Sequence, residues 1–196
     1  MFWEVEMKSA TPEQAQRYIR LMSTKFPARI VRQSDAIELR LFRSVLGILS
    51  IPDVTTELNR RSLTVGSWVY LQDGLSPDQE IRTVTHELVH VQQWARDGLD
   101  FAYFYFTSGE KRVAYEVEAM RAAGELDYAR TKVMPSLDQL VEPLTHSHVL
   151  GKADLDLARD LLESGATSIA EGLVSAPQAY AGIEILWKEM PELLTP

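Results

Sequence analysis

The amino-acid sequence predicts an α+β fold in one domain spanning residues 1–196. In this fold a small N-terminal sheet packs on a long central helix, and a helical C-terminal part follows. Three observations predict it. Short segments rich in β-branched and aromatic residues occupy the first third of the chain. A capped stretch with apolar residues three and four positions apart comes next, and the remainder carries helical patterns rich in Ala, Glu and Arg.

The first elements are a helix and a set of short strands. Thr11-Pro12-Glu13-Gln14 combines a capping hydroxyl, a first-turn Pro and a Gln three residues after the cap, so a helix should begin here. It should end near Lys25, before Phe26-Pro27. Residues 29–33 and 36–42 predict two strands, the second because apolar and charged residues alternate in it.

Two further segments complete the N-terminal part. Residues 45–51 form an apolar run that ends at Pro52-Asp53. Residues 62–71 predict another strand, because Val65, Trp68, Val69 and Tyr70 favour extended backbone and the turn residues Asp73-Gly74 follow. This strand is either an exposed edge or an internal strand with its Trp in the core.

The central helix is predicted to run from about Pro77 to Arg96. Ser76-Pro77-Asp78-Gln79 repeats the capping box of the first helix, and Asp97-Gly98 supplies a stop signal. An apolar stripe between these signals faces a core: Ile81, Val84, Leu88, Val91 and Ala95. Later helices are predicted over residues 112–133, 137–141, 153–164 and 183–190.

Composition and charge narrow the function classes. The 196 residues are 45% hydrophobic and 24% charged, as in soluble globular proteins, and the net charge of −8 argues against non-specific nucleic-acid binding. No cysteine is present, which excludes disulfides, cysteine nucleophiles and zinc ribbons. Residues 1–8 do not resemble a signal peptide, and no apolar run reaches the ~20 residues that span a bilayer. We expect a cytoplasmic protein without a membrane partner.

His86-Glu87-Leu88-Val89-His90 is the motif that carries chemistry. Residues four apart lie on one face of a helix, so His86 and His90 would present two imidazoles to one metal ion. Glu87 would lie close enough to take a proton from metal-bound water without being a ligand. Zinc makes such water acidic enough for hydrolysis near neutral pH. The motif therefore predicts a Zn²⁺ site with Glu87 as a catalytic base.

A third zinc ligand is needed, because catalytic zinc holds three protein ligands and one water. With no cysteine in the chain, this ligand must be His, Asp or Glu. Glu116 and Glu118 lie 26 and 28 residues after His90 on the next predicted helix. His146 and His148, the only other histidines, offer a three-histidine alternative.

The HExxH motif followed by Tyr115-Glu116-Val117-Glu118-Ala119 resembles the core of the gluzincins, zinc metallopeptidases with a glutamate as third ligand. The resemblance covers residues 76–130. It implies that Glu116 binds the metal together with His86 and His90. Relatives often carry a polar residue four positions later, which orients a histidine, but Met120 stands there in this chain. Either another group orients that histidine, or Glu118 is the ligand.

The resemblance implies a zinc-dependent metallopeptidase that acts on a peptide or protein substrate. Glu87 would be the general base, and Tyr103, Tyr105, Tyr115 and the two later histidines are possible donors to the developing oxyanion. Zincins also tend to bind substrate on an edge strand just before the motif helix, which makes residues 62–71 the candidate. The alternative function is a non-catalytic zinc-binding structural or interaction protein with a zincin-like fold.

Overall fold

The computed structural model describes residues 9–39, 61–145 and 150–194. Their elements, in chain order, are α1 (Pro12–Lys25), β1 (Arg29–Arg32), β2 (Leu63–Val65), β3 (Trp68–Leu71), α2 (Pro77–Asp97), α3 (Leu99–Thr107), α4 (Gly109–Thr131), α5 (Leu137–Thr145), α6 (Lys152–Ala170) and α7 (Pro177–Glu189). Short 3-10 turns cover Gln33–Asp35 and Pro191–Leu193. This mostly helical chain with a small N-terminal sheet confirms the α+β prediction.

The three strands form one mixed sheet with the order β1-β3-β2. β1 pairs in parallel with the central strand β3, and Ile30 lies opposite Val69. β2 pairs with β3 in the antiparallel direction, and Thr64 also lies opposite Val69. The sheet therefore places Thr64 on its outer strand, beside the helix that follows β3.

Two strand predictions need correction. The predicted single strand over residues 62–71 is a hairpin, because Gly66 adopts a φ of 60° and reverses the chain between β2 and β3. Within the predicted strand 36–42, residues 37–39 are helical, and the rest lies outside the described residues. Ala36 and Leu39 pack together against Tyr70 while Ile37 is 62% exposed, a three-residue spacing that suits a helix. The apolar run 45–51 also lies outside the described residues.

The helix α2 lies at the centre of the molecule, with bounds within one residue of those predicted. Both hydrogen bonds of its capping box form: Ser76 N to Gln79 Oε1 at 2.8 Å, and Gln79 N to Ser76 Oγ at 3.3 Å. Its predicted apolar stripe, except for the exposed Ala95, is buried against α1, β3, α4 and α7. The cluster includes Tyr18, Met22, Val69, Leu71, Ile81, Val84, Leu88, Leu126, Ile185 and Leu186. This burial fixes the rotation of α2 about its axis and turns its histidines toward α4.

The helix α4 packs closely along α2 because small side chains lie between them. Ala119 and Ala122 of α4 form a cluster with Val89 of α2, and none is more than 1% exposed. The opposite side of α4 is also apolar: Val113 and Met120 pack with residues of α5 and α6. The C-terminal helices match the predicted positions, although they are longer than predicted. Among the described residues, no helix combines the length and the apolar character needed to cross a bilayer.

Candidate metal centre

Helices α2 and α4 bring His86, His90 and Glu116 together. The Nε2 atoms of the two histidines are 3.1 Å apart. Glu116 Oε2 lies 3.4 Å from His86 Nε2, and Glu116 Oε1 lies 3.7 Å from His90 Nε2. The three donor atoms are within 4.8 Å of one another, so one ion could contact all of them. This geometry agrees with the prediction that His86 and His90 lie on one face of a helix. It also agrees with the choice of Glu116 over Glu118 as the third donor.

The electrostatics of the cluster favour a charged pair. Burial alone would raise the pKa of Glu116, but the hydrogen bond and charge of His86, together with His90, lower it far below its ordinary value. Burial alone would lower the pKa of His86, but its hydrogen bond to Glu116 and the charges of Glu116 and Glu87 raise it instead. These opposite shifts favour a protonated His86 paired with an ionised Glu116.

Tyr105 of α3 contacts the same carboxylate. Its hydroxyl donates a hydrogen bond to Glu116 Oε1, and its ring lies edge-on to the His90 ring at 6.0 Å. Arg112 holds this tyrosine in place, because its Nε donates to the Tyr105 carbonyl at 2.6 Å and its guanidinium lies over the ring. Burial and the nearby Glu116 raise the pKa of Tyr105 well above 10, so the hydroxyl stays protonated.

Glu87 is held from the opposite side by the sheet. Thr64 of β2 donates its hydroxyl to Glu87 Oε2 at 2.6 Å, and Glu87 is 6% exposed. Within the described part of the chain, Glu87 Oε1 has no hydrogen-bond partner, so it can accept a proton from a bound molecule. The charge of Glu87 contributes to raising the pKa of both His86 and Tyr105.

Among the described residues, the other predicted donors do not join the cluster. Glu118 accepts hydrogen bonds from Gln93 and Arg96 instead. Tyr103 is 63% exposed. The Tyr115 hydroxyl lies beside Asp97, and burial together with this carboxylate raises the pKa of Tyr115. His146 and His148 lie outside the described residues.

Sequence reasoning missed Thr64 and Gln93. Gln93 Oε1 lies 2.7 Å from His90 Nδ1, within reach to orient that histidine, the role that the apolar Met120 cannot perform. A signal existed, because Gln93 follows His90 by three residues on one helix face. Thr64 gave no local signal, since the sheet pairing brings it to Glu87 from 23 residues away.

The edge strand β2 differs from the predicted peptide-binding strand. It has only three residues, and the indole Nε1 of Trp94 donates to its Thr64 carbonyl oxygen at 3.3 Å. A peptide added along this edge would compete with Trp94 for that oxygen. The contacts of β2 instead support a role in holding Glu87.

Comparison of the chain with protein-family models, with curated proteins and with solved structures finds no match. The function of the site is therefore inferred from its own geometry.

The charged pair predicts a pH dependence for the metal-free protein. Because the pKa of Glu116 is lowered in the folded protein, this group stabilises the fold at pH values above its unfolded pKa near 4.5. The contribution is lost as the pH falls below that value. A raised His86 pKa stabilises the fold below its unfolded value near 6.5, and this contribution is lost as the pH rises through the folded value. We therefore expect Glu116→Gln to cost the most stability, about 1–3 kcal/mol, between these two values.

The measurement is thermal or denaturant unfolding of both proteins with chelator, across the pH range. Glu118→Gln is the matched control, because Glu118 contacts neither histidine. A stability difference between the wild type and Glu116→Gln that does not change with pH would contradict the charged pair.

Proposed function

We propose that this chain is a zinc-dependent metallopeptidase of the zincin kind, in which His86, His90 and Glu116 hold the metal and Glu87 is the general base. The observation that carries the proposal is the meeting of His86, His90 and Glu116, whose donor atoms lie within 4.8 Å of one another. Glu87 directly follows His86 on α2, is buried, and accepts a hydrogen bond from Thr64.

The chemistry of the donor set fits zinc. Two imidazole nitrogens and one carboxylate oxygen are the ligand types that catalytic zinc sites use, and three protein ligands leave one position for a small molecule. The side chains of His86 and Glu116 are 20% and 11% exposed, so each charge depends on the other unless a metal replaces the shared proton. His90 Nδ1 lies 2.7 Å from Gln93 Oε1, while its Nε2 faces the cluster.

The protein groups suit amide hydrolysis. Zinc, when bound, makes water more acidic and polarises a carbonyl group. Glu87 accepts the proton from the attacking water at Oε1 and then passes it to the leaving amine. Thr64 keeps the Glu87 carboxylate oriented through Oε2. Tyr105 supplies a protonated hydroxyl that can donate to the carbonyl oxygen as negative charge develops on it.

Zinc content tests the proposed ligands. The purified protein should carry about one zinc per chain by elemental mass spectrometry after dialysis against trace zinc. His86→Ala and Glu116→Ala should lose it, because each removes one of three ligands. Glu110→Ala is the matched control for Glu116→Ala: it removes an exposed carboxylate from the same helix, and it should keep the metal. Glu118→Ala removes a carboxylate that contacts Gln93 and Arg96, so it should weaken zinc binding less than Glu116→Ala.

Two outcomes would overturn this assignment. Absence of zinc from the wild-type protein, even after reconstitution, would leave the cluster as a structural ion pair. Loss of zinc from Glu118→Ala with retention in Glu116→Ala would exchange the roles of the two glutamates.

A further inference from the structure

The geometry points to Gln93 as a positioning residue: we infer that it fixes His90 in the Nδ1–H tautomer and so keeps the His90 Nε2 lone pair directed at the cluster. The inference rests on the proposed metal site. It concerns a residue outside the HExxH motif and outside the ligand set.

Gln93 is fully buried, and both the oxygen and the nitrogen of its amide form hydrogen bonds. Its Oε1 lies 2.7 Å from His90 Nδ1. Its Nε2 donates to the carbonyl oxygen of Tyr115 at 3.0 Å and to Glu118 Oε2 at 2.9 Å. The side chain has an exposure of 0%, so no hydrogen bond to solvent replaces these contacts if one is lost.

These contacts leave one arrangement of hydrogens. A backbone carbonyl and a carboxylate only accept, so the two hydrogens of the Gln93 amide nitrogen must point to Tyr115 and Glu118. The amide oxygen then faces His90, and an oxygen of this kind can only accept. The hydrogen between them must belong to His90 Nδ1. A neutral imidazole carries one N–H, so Nε2 keeps its lone pair.

The orientation of Gln93 is itself supported from α4 and from the end of α2. Arg96 Nη1 lies 3.3 Å and 3.4 Å from the two oxygens of Glu118, which keeps that carboxylate beside Gln93. Glu118 thus acts on the site through Gln93. Glu116 lies in the cluster itself. This gives both glutamates of the motif a distinct position.

A fixed tautomer and ring orientation should strengthen metal binding, because the metal then meets a nitrogen that needs neither a proton transfer nor a ring rotation. Removing such an outer hydrogen-bond partner costs 10–100-fold in metal affinity in characterised sites. We therefore expect Gln93→Met, which keeps the volume of the side chain but not its acceptor, to bind zinc about 10–100-fold more weakly.

The chain offers a matched control in Gln92, the preceding residue on α2. Its amide oxygen accepts from Gln178 at 2.6 Å, so it faces away from the cluster, and Gln92→Met should bind zinc like the wild type. The affinities are measured by competition with a chromophoric zinc chelator. Unfolding of the metal-free variants shows whether each one is folded.

The tautomer is read directly from imidazole ¹⁵N shifts of the metal-free wild-type protein at mildly alkaline pH. The expected result is a protonated Nδ1 and an unprotonated Nε2 on His90. A His90 with its hydrogen on Nε2 would overturn the inference whatever the variants do. Unchanged zinc affinity in folded Gln93→Met would also overturn it. Absence of zinc binding by the wild type would instead contradict the proposed function, and the shifts would still decide the tautomer.

Discussion

Replacing Glu87 with Gln is expected to leave zinc bound and to lower kcat for peptide hydrolysis by about 10²–10⁴-fold. A neutral amide cannot take the proton from the attacking water or return it to the leaving amine. Since Glu87 is not among the three clustered donors, the metal content should not change. This separation of binding from turnover is the result that distinguishes a peptidase from a protein that only holds zinc.

The Gln variant should also fold like the wild type. Its amide oxygen can still accept the hydroxyl of Thr64, which now donates to Glu87 Oε2 at 2.6 Å. The matched control is Glu110→Gln, which makes the same change on an exposed carboxylate of α4. The assay uses a pool of random-sequence peptides, with the products identified by mass spectrometry.

Two results would count against catalysis by Glu87. If zinc-loaded Glu87→Gln hydrolyses peptides at the wild-type rate, Glu87 is not the base. If the zinc-loaded wild type cleaves no peptide in the pool, the non-catalytic zinc-binding alternative becomes the better account of the site.

The elements around the motif could be predicted from sequence because their signals are local. The capping boxes at Thr11 and Ser76 begin α1 and α2 where predicted, and the helical spacing of Ile81, Val84 and Leu88 identified the buried face. That buried face determines which way His86 and His90 point. Helix periodicity therefore allows the orientation of both histidines to be predicted from the local sequence pattern.

Other features depend on contacts between distant residues and have no local pattern. The choice of Glu116 over Glu118 follows from how the small residues Ala119 and Ala122 pack α4 on α2, and sequence alone offered only a resemblance for it. Residues 37–39 form a helical turn where the sequence predicts a strand. A few alternating residues fit both the two-residue period of a strand and the 3.6-residue period of a helix. Packing of Ala36 and Leu39 against Tyr70 decides between the two.

Loss of the Tyr105 hydroxyl, in Tyr105→Phe, is expected to lower kcat by about 10²–10³-fold, as does removal of a donor to an oxyanion in other hydrolases. The hydroxyl reaches the Glu116 carboxylate, so it lies where a carbonyl oxygen drawn to the metal would develop charge. Its raised pKa keeps it a donor at neutral pH. The ring keeps its contacts with Phe101 and His90, so the variant should fold.

The effect should fall on kcat more than on KM, because the hydrogen bond forms only as the carbonyl oxygen becomes negative. Tyr103→Phe is the matched control: Tyr103 lies on the same helix, α3, but is 63% exposed, and its loss should change neither parameter. Tyr105→Phe also removes a hydrogen bond from the ligand Glu116, so zinc affinity must be measured beside the rate. If a loss of kcat persists at saturating zinc, Tyr105 donates to the oxyanion. If added zinc restores the rate fully, the hydroxyl serves only to orient the Glu116 carboxylate.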